Sequence, residues 1–298
     1  MDIQQPTPAY RSYTDAAGFL SRAQPDLERD EVTINLILGL SFRLISQPDY
    51  YRTRPYFATV SGTAADGSER LQLAAVCTPP HNLILYAAPV DCGTGLRVLA
   101  DHLLEELPGL PGVLAPAQLA GDFSRAWSRA SGNAARLVTH ERVYELRRVN
   151  PIRPARGRMR RAEEADLPLL AAWTGAFDLE AVGTADTEEQ KAYQARVRLP
   201  HTYLWEDGRP VSMACISRYT PHGAVIGPVY TPPEQRGRGY ASGVVAGLSQ
   251  HLLDSGRRFC ALFTNLANPT PNHIYQEIGY EPRGDFHEFR FGQRPEKS

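Results

Sequence analysis

The sequence predicts an α/β protein built on a mixed sheet of the α+β kind. Short segments in which apolar and polar residues alternate, as in strands with one buried face, are interrupted by stretches whose apolar residues recur at helical spacing. Of the 298 residues, 42% are hydrophobic and 22% are charged, which is the ordinary composition of a globular protein. That composition excludes a disordered or fibrous chain.

The chain divides most clearly at residues 151–157. This segment holds two prolines and a glycine without usable periodicity, which is typical of a linker. At roughly 150 residues per domain, a chain of 298 residues fits two domains. We predict one α/β domain over residues 1–150 and a second over residues 158–298.

The first half alternates strands and helices but offers no catalytic motif. Its predicted helices cover 32–45, 96–107 and 120–130, and its predicted strands cover 56–60, 71–76, 83–88 and 142–149. A glycine-bearing segment at 91–95 lies between a strand and a helix. It lacks a basic anchor and a third glycine, so we interpret it as a turn.

The second half reads as hairpin-linked strands followed by a strand–helix–strand unit. The predicted strands cover 158–160, 202–205, 211–217, 224–230, 259–264 and 285–291. Helices are predicted after Glu163 and over 186–197, 240–255 and 271–278. Such an order describes a mixed sheet.

The composition of the chain limits the classes of function that we expect. The 32 basic and 33 acidic residues leave a net charge of -1, so no overall basic field exists to hold nucleic acid or an anionic membrane. The four cysteines lie far apart and form no C-x-x-C pair, which argues against a zinc site or a disulfide framework and fits a reducing cytoplasm. Neither a signal peptide nor an apolar run of roughly 20 residues is present. We expect a cytoplasmic protein with no metal, no nucleic-acid partner and no membrane partner.

The most informative segment is the loop before the helix at 240–255. It reads Arg-Gly-Arg-Gly-Tyr-Ala from Arg236 to Ala241. The first turn of a helix has unpaired N–H groups that attract phosphate, and glycines let a ligand approach the backbone closely. A lone G-x-G is by itself only a turn. A Rossmann motif is not matched, because Ser242 stands where its third glycine belongs, and no P-loop sequence occurs.

Two further segments are weak alone. Gly227 and Pro228 lie within a predicted strand, where they indicate a bulge or a splayed strand; an edge strand with a tolerated proline explains them equally well. Asn268 precedes a short helix that carries Tyr275, with Gly279 just beyond it. Taken locally, Asn268 is a helix cap and Tyr275 a half-buried core residue.

In this order the segments resemble the GNAT superfamily of acetyl-CoA-dependent N-acetyltransferases. The family signature [RQ]-x-x-G-x-[GA] is matched by Arg236, Gly239 and Ala241. A later family motif, an Asn, a Tyr seven residues on and then Gly-[FY], is matched by Asn268, Tyr275, Gly279 and Tyr280. The resemblance covers about residues 158–291. Residues 1–150 resemble a degenerate second copy of the same GNAT-like domain, as in tandem family members.

The resemblance implies a GNAT-like acyl-CoA N-acyltransferase fold with acetyl-CoA as the donor cosubstrate. The pyrophosphate should lie on the loop, the pantetheine arm should run beside the splayed strand, and Asn268 should bind that arm, with Asn272 a weaker candidate. The implied cofactor-binding residues are Val229, Tyr230, Thr231, Arg236, Gly237, Arg238, Gly239, Tyr240, Ala241, Asn268 and Asn272.

The resemblance also implies the chemistry. A primary amine of a small molecule or peptide would attack the thioester directly, and a backbone N–H near Val229 would stabilise the oxyanion. Tyr275 would protonate the departing thiolate, since a phenol with a pKa of about 10 keeps its proton at neutral pH. The predicted strand at 224–230 carries no carboxylate to act as general base. Glu180 is the candidate that we name; a solvated helix-end role, His222, Glu288 or a water relay are the alternatives.

Three readings remain in competition. An acetyltransferase leads, a non-catalytic acyl-CoA-binding regulatory protein is second, and a tRNA-dependent aminoacyl transferase is a distant third, because the chain has no basic tRNA-binding stretch. No motif names the acceptor amine. The sequence is silent on oligomeric state; dimers are common in families of this kind, and a homodimer is left open.

Overall fold

The computed structural model describes residues 7–51, 53–64, 66–153, 155–183 and 185–292. Contacts group the chain into two compact units. Unit 1 comprises the residues up to 143 together with 265–267 and those from 283 onward, and unit 2 comprises 144–264 and 268–282. The linker that the sequence predicted at 151–157, whose Pro154 lies outside the described residues, falls inside unit 2. The last strand, which the sequence grouped with the second domain, belongs mainly to unit 1.

The elements follow in chain order. Those before the predicted linker are β1 (Ala9–Tyr13), α1 (Ala16–Leu27), α2 (Asn35–Ser46), β2 (Tyr56–Thr63), β3 (Glu69–Cys77), β4 (Leu83–Ala87), α3 (Gly93–Glu106), β5 (Gly112–Pro116), α4 (Ala117–Ser131) and β6 (Ala134–Leu146). Those after it are β7 (Arg158–Arg161), α5 (Leu167–Val182), α6 (Glu188–Arg198), β8 (Thr202–Glu206), β9 (Pro210–Tyr219), β10 (Gly223–Tyr230), α7 (Tyr240–Asp254), β11 (Phe259–Asn265), α8 (Pro269–Ile278) and β12 (Glu281–Gly292).

Unit 1 is a sheet covered by helices on both faces. Its strand order is β1-β2-β3-β4-β5-β12-β6, with β4 and β5 parallel. Alternate residues of β2 point to opposite faces: Ala58 packs in a core with α3 and α4, and Phe57 packs in a core with α1 and α2. The closing strand β12 takes part in the first of these cores, because Phe291 stacks on the fully buried Trp127 with ring centres 5.7 Å apart.

Unit 2 has the strand order β11-β10-β9-β8-β7 and is likewise packed on both faces. Ala214 of β9 lies in the core formed with α7 and α8, whereas its neighbour Met213 lies in the core formed with α5. This alternation follows from the period of two along a strand. The two helical layers thus meet β10 from opposite sides, which is what positions the candidate site.

The predicted mixed α/β sheet is confirmed, and the differences are local. The sequence missed β1, α1 and β5. Strand β1 is mostly exposed and shows no alternation, Pro25 interrupts the pattern of α1, and β5 is five residues bounded by a glycine and a proline. Strand β6 starts at Ala134, well before the predicted 142, because its first half is only partly buried. Among the described residues, no helix has the length and apolar character needed to cross a bilayer.

Candidate functional site

The site begins where β10 separates from β11. The two strands pair in parallel only from Gly223 opposite Phe259 to Val225 opposite Ala261, although each continues for several residues. On its other edge β10 slips register against β9 between Val225 and Val229. The slip contains Gly227, whose φ of 148° is readily adopted only by glycine. The splayed strand that Gly227 and Pro228 indicated is therefore present.

The end of β10 is held by hydroxyl groups. Ser212 Oγ lies 3.1 Å from the Tyr230 carbonyl oxygen and 2.8 Å from Thr231 Oγ1. Tyr230 is buried with its ring 6.2 Å from that of Trp173, on the α5 side of the sheet. Val229, one residue earlier, packs on the α7 and α8 side. The splayed segment thus keeps a fixed direction although no strand among the described residues pairs with its open edge.

The loop after β10 leads into the N-terminus of α7. Gly237 and Gly239 have φ values of 74° and 80°, in the left-handed region that glycine favours. Within the described part of the chain, the backbone N–H groups of 237–242 have no backbone acceptor, and the first closing bond runs from Gly243 to Gly239. Together with the positive end of the helix dipole, these N–H groups attract an anion.

Two side chains next to this turn have different surroundings. Tyr240 is buried, and its hydroxyl donates to Asp207 at 2.7 Å, which fixes the start of α7. Arg238 is exposed, and its side chain makes no hydrogen bond, ion pair or ring contact with any residue that the structure describes. Ala241 is small and half-buried, so it leaves the first turn accessible. The loop therefore offers one unengaged cation at the helix N-terminus.

Arg236 ties this loop to helix α5. Its Nε donates to the Thr231 carbonyl oxygen at 2.9 Å, and its guanidinium lies 5.9 Å from the centre of the Tyr230 ring. Its Nη2 reaches both carboxylate oxygens of Glu180, at 2.9 and 2.8 Å. Both side chains are 48% exposed. The structure thus joins the predicted phosphate-side arginine to the predicted general base.

Helix α8 carries the amides of the second motif. Asn268 is its N-cap residue, yet its exposed side chain makes no capping bond and no other hydrogen bond within the described ranges. Asn272 is engaged, because its Nδ2 donates to the Asn268 carbonyl oxygen at 2.6 Å and its Oδ1 accepts from the Tyr144 hydroxyl at 3.2 Å. Of the two asparagines, Asn268 is the one with an amide free to bind a ligand.

Tyr275 is buried in the core that includes Ile226 of the splayed strand, and Val229 packs against this core. Its hydroxyl has no hydrogen-bond partner among the residues that the structure describes. Burial raises the pKa of Tyr275 to about 12, so the phenol is protonated at neutral pH. Its ring meets that of Tyr280 edge-on, and the Tyr280 hydroxyl lies 2.8 Å from Ser249 Oγ of α7.

The other candidates for a base lie elsewhere. Glu288 belongs to unit 1, where it accepts hydrogen bonds from Asn82 and Thr139 at 2.9 Å each. His222 is in the turn that precedes β10, at the opposite end of the strand from Tyr230. Sequence reasoning missed four supporting residues because none stands in a motif: Tyr144, Trp173, Asp207 and Ser212.

Comparison with known proteins identifies the fold. Residues 207–290 match the family model described as FR47-like protein. An acetyltransferase of the GNAT family from Colwellia psychrerythraea is similar in structure with a TM-score of 0.59 at 13% identity, covering 95% of this chain and 100% of its own. A GCN5-related N-acetyltransferase from Sphaerobacter thermophilus gives 0.59 at 15% identity and covers 97% of both chains.

The chain has the GNAT fold. A tandem GNAT protein from the clavulanic acid biosynthesis pathway also matches over its whole length, with a TM-score of 0.52 at 15% identity over 97% of this chain. The predicted GNAT resemblance and the tandem arrangement are thereby confirmed as matters of fold. No curated protein matches the sequence.

Proposed function

We propose that the chain moves an acetyl group from acetyl-CoA to a primary amine of a small molecule or peptide. The observation that carries the proposal is the separation of β10 from β11, directly before a helix whose first N–H groups are unpaired. A strand with one open edge can bind an extended amide-bearing arm as an added strand. The helix N-terminus at the end of that edge binds the anionic end of the same ligand.

Each part of the donor has a proposed partner. The N–H groups from Gly237 to Ala241, with Arg238 beside them, would hold the pyrophosphate. The arm would run along Val229 to Thr231. The Asn268 amide, which makes no hydrogen bond among the described residues, would bind the arm on the other side, and the engaged Asn272 would contribute less.

The proposed transfer step is a direct attack of the amine on the thioester. The amine nitrogen attacks the thioester carbonyl carbon, the C–S bond breaks, and the sulfur leaves with the electron pair. The new amide nitrogen loses its surplus proton to water, and Tyr275 gives its own proton to the sulfur and later recovers one from solvent; its pKa of about 12 ensures that it holds the proton beforehand. A backbone N–H near Val229 would stabilise the oxyanion.

The attacking amine must first lose a proton. Glu180 was expected as the base, but both of its oxygens accept from Arg236, so we propose that water takes this proton directly. A Glu180→Gln variant separates the two roles. Loss of a base lowers turnover by roughly 10²-fold or more, whereas loss of an ion pair does not.

The first test is calorimetric titration with acetyl-CoA, with NAD and ATP as controls. Saturable binding of acetyl-CoA alone is expected, followed by thiol release in a screen of primary amines. Binding without thiol release from any amine would favour a regulatory acyl-CoA-binding protein. Absence of binding to all three ligands would contradict the donor site itself.

A further inference from the structure

The ion pair between Glu180 and Arg236 joins two elements that the proposed reaction uses separately. Arg236 belongs to the loop that precedes α7, and Glu180 lies in the last turn of α5. The pair is half-exposed on both sides, so it is weak and can exchange partners. Arg236 keeps a second anchor, the bond from its Nε to the Thr231 carbonyl oxygen.

The position of Glu180 is electrostatically unfavourable on its own. The C-terminal end of a helix carries partial negative charge, and a carboxylate there is destabilising. The last turn of α5 contains no basic residue. Arg236 is therefore the cation that offsets both Glu180 and the terminal carbonyl groups of α5.

We infer that Glu180 is a positioning residue that occupies Arg236 until a phosphate oxygen of the donor replaces it. The inference rests on the proposed function, because it takes acetyl-CoA as the anion that arrives. A carboxylate and a phosphate oxygen present the same kind of acceptor to a guanidinium. When the pyrophosphate binds, Arg236 turns from Glu180 toward it, and the last turn of α5 loses its cation. Donor binding thus loosens α5.

The consequence is a defined effect of Glu180 on donor affinity. Breaking an exposed ion pair corresponds to about a two- to five-fold change in affinity. Glu180→Gln should tighten acetyl-CoA binding by about that factor, because the Nη2 group of Arg236 is then released from the carboxylate. S-acetylpantetheine, which lacks the pyrophosphate, should bind both proteins equally.

A double-mutant cycle isolates the pair. In an Arg236→Gln background, Glu180→Gln should change acetyl-CoA affinity by less than about 1.5-fold if the effect passes through Arg236. Glu234→Gln is the charge-matched control, since it removes one exposed carboxylate from the same loop and Glu234 makes no contact with Arg236. An equal effect of Glu180→Gln in both backgrounds, or unchanged affinity, would overturn the inference.

Hydrogen exchange tests the second part of the inference, which is that donor binding loosens α5. On addition of acetyl-CoA, amides near 177–183 should exchange faster in the wild-type protein. In Glu180→Gln, which has no carboxylate at this helix end to be left unpaired, the exchange of these amides should change little when acetyl-CoA is added. Slower exchange in the wild-type protein on donor binding would contradict the proposed release of α5. If the wild-type protein does not bind acetyl-CoA at all, the proposed function fails instead, and the two failures are distinguishable.

Discussion

Tyr275 is a buried residue whose hydroxyl has no hydrogen-bond partner among the described residues, which suits a group reserved for a reaction. Tyr275→Phe should lower the rate of thiol release by about 10- to 100-fold, because it removes the proton donor. Affinity for acetyl-CoA should stay within about two-fold, since the proposed donor contacts involve other groups. Steady-state kinetics measures the rate and calorimetry measures the affinity. Full turnover in the variant would contradict the proposed role of Tyr275 as the acid.

The raised pKa of Tyr275 also predicts a pH dependence of stability. The phenol titrates near 10 when unfolded and near 12 when folded. Its contribution is fully present below pH 10 and is lost as the pH rises toward 12, by roughly 1 kcal/mol at pH 11. Between pH 9 and pH 11, the free energy of unfolding should therefore fall by less in Tyr275→Phe than in the wild-type protein, and the difference should be about that amount. Urea unfolding at both pH values measures it. Tyr193→Phe, the same substitution at an exposed position, is measured beside it as the control for the change of residue.

The two asparagines of α8 should respond oppositely to alanine. Asn268→Ala should weaken acetyl-CoA binding by about five-fold and leave the free energy of unfolding unchanged, because the side chain makes no capping bond. Asn272→Ala should cost about 1 kcal/mol of stability, because it removes bonds to Tyr144 and the Asn268 backbone. Calorimetry and urea unfolding of both variants separate the roles, and a stability loss in Asn268→Ala alone would contradict this assignment.

Single residues were predictable from the sequence where a motif names them. Gly239 and Gly227 are examples, because each has a positive φ value that most other residues do not adopt, so a glycine at these positions marks the turn or bulge in advance. The partners of such residues were not predictable. Nothing local couples Tyr240 to Asp207 or Arg236 to Glu180, since each pair is separated along the chain and meets only through the packing of whole elements.

Among the elements, the start of α7 offers the sharpest test. Gly239→Glu places a side chain at a φ of 80° and a negative charge at the phosphate loop. The strain should cost about 1–2 kcal/mol, and acetyl-CoA binding should be lost. Gly256→Glu, at a φ of 94° with open space beyond the other end of α7, is the matched control. It should lose similar stability and keep binding.

Measured acetyl-CoA affinity of the two glycine variants decides between an anion site and a plain turn. Equal affinity in both would show that the loop only reverses the chain. The elements themselves were predicted where their apolar pattern is regular, as in α7 and β10. They were missed where one face is exposed, as in β1 and the first half of β6, because an exposed face removes the alternation that marks a strand.

At the scale of the whole molecule, the boundary between the units has a testable consequence. Tyr144 and Leu146 are almost fully buried in the core of unit 2, although the sequence assigned them to the first domain. A chain spanning 158–282 lacks both, at about 2–5 kcal/mol for each large side chain, and should not unfold cooperatively. A chain spanning 144–282 contains both residues and should unfold cooperatively. Urea unfolding followed by the fluorescence of Trp173 and Trp205, which both chains contain, compares the two, and equal midpoints would refute the structural boundary.

The place of β12 bears on synthesis. Its residues from 283 onward complete the core around Trp127 in unit 1, yet the ribosome makes them after every residue of unit 2. Domains of a nascent chain ordinarily fold in order from the N-terminus. Unit 1 therefore cannot complete its core until unit 2 has been translated, because until then it lacks β12 and the contact that Phe291 makes with Trp127. The unit made first is thus the last to be finished.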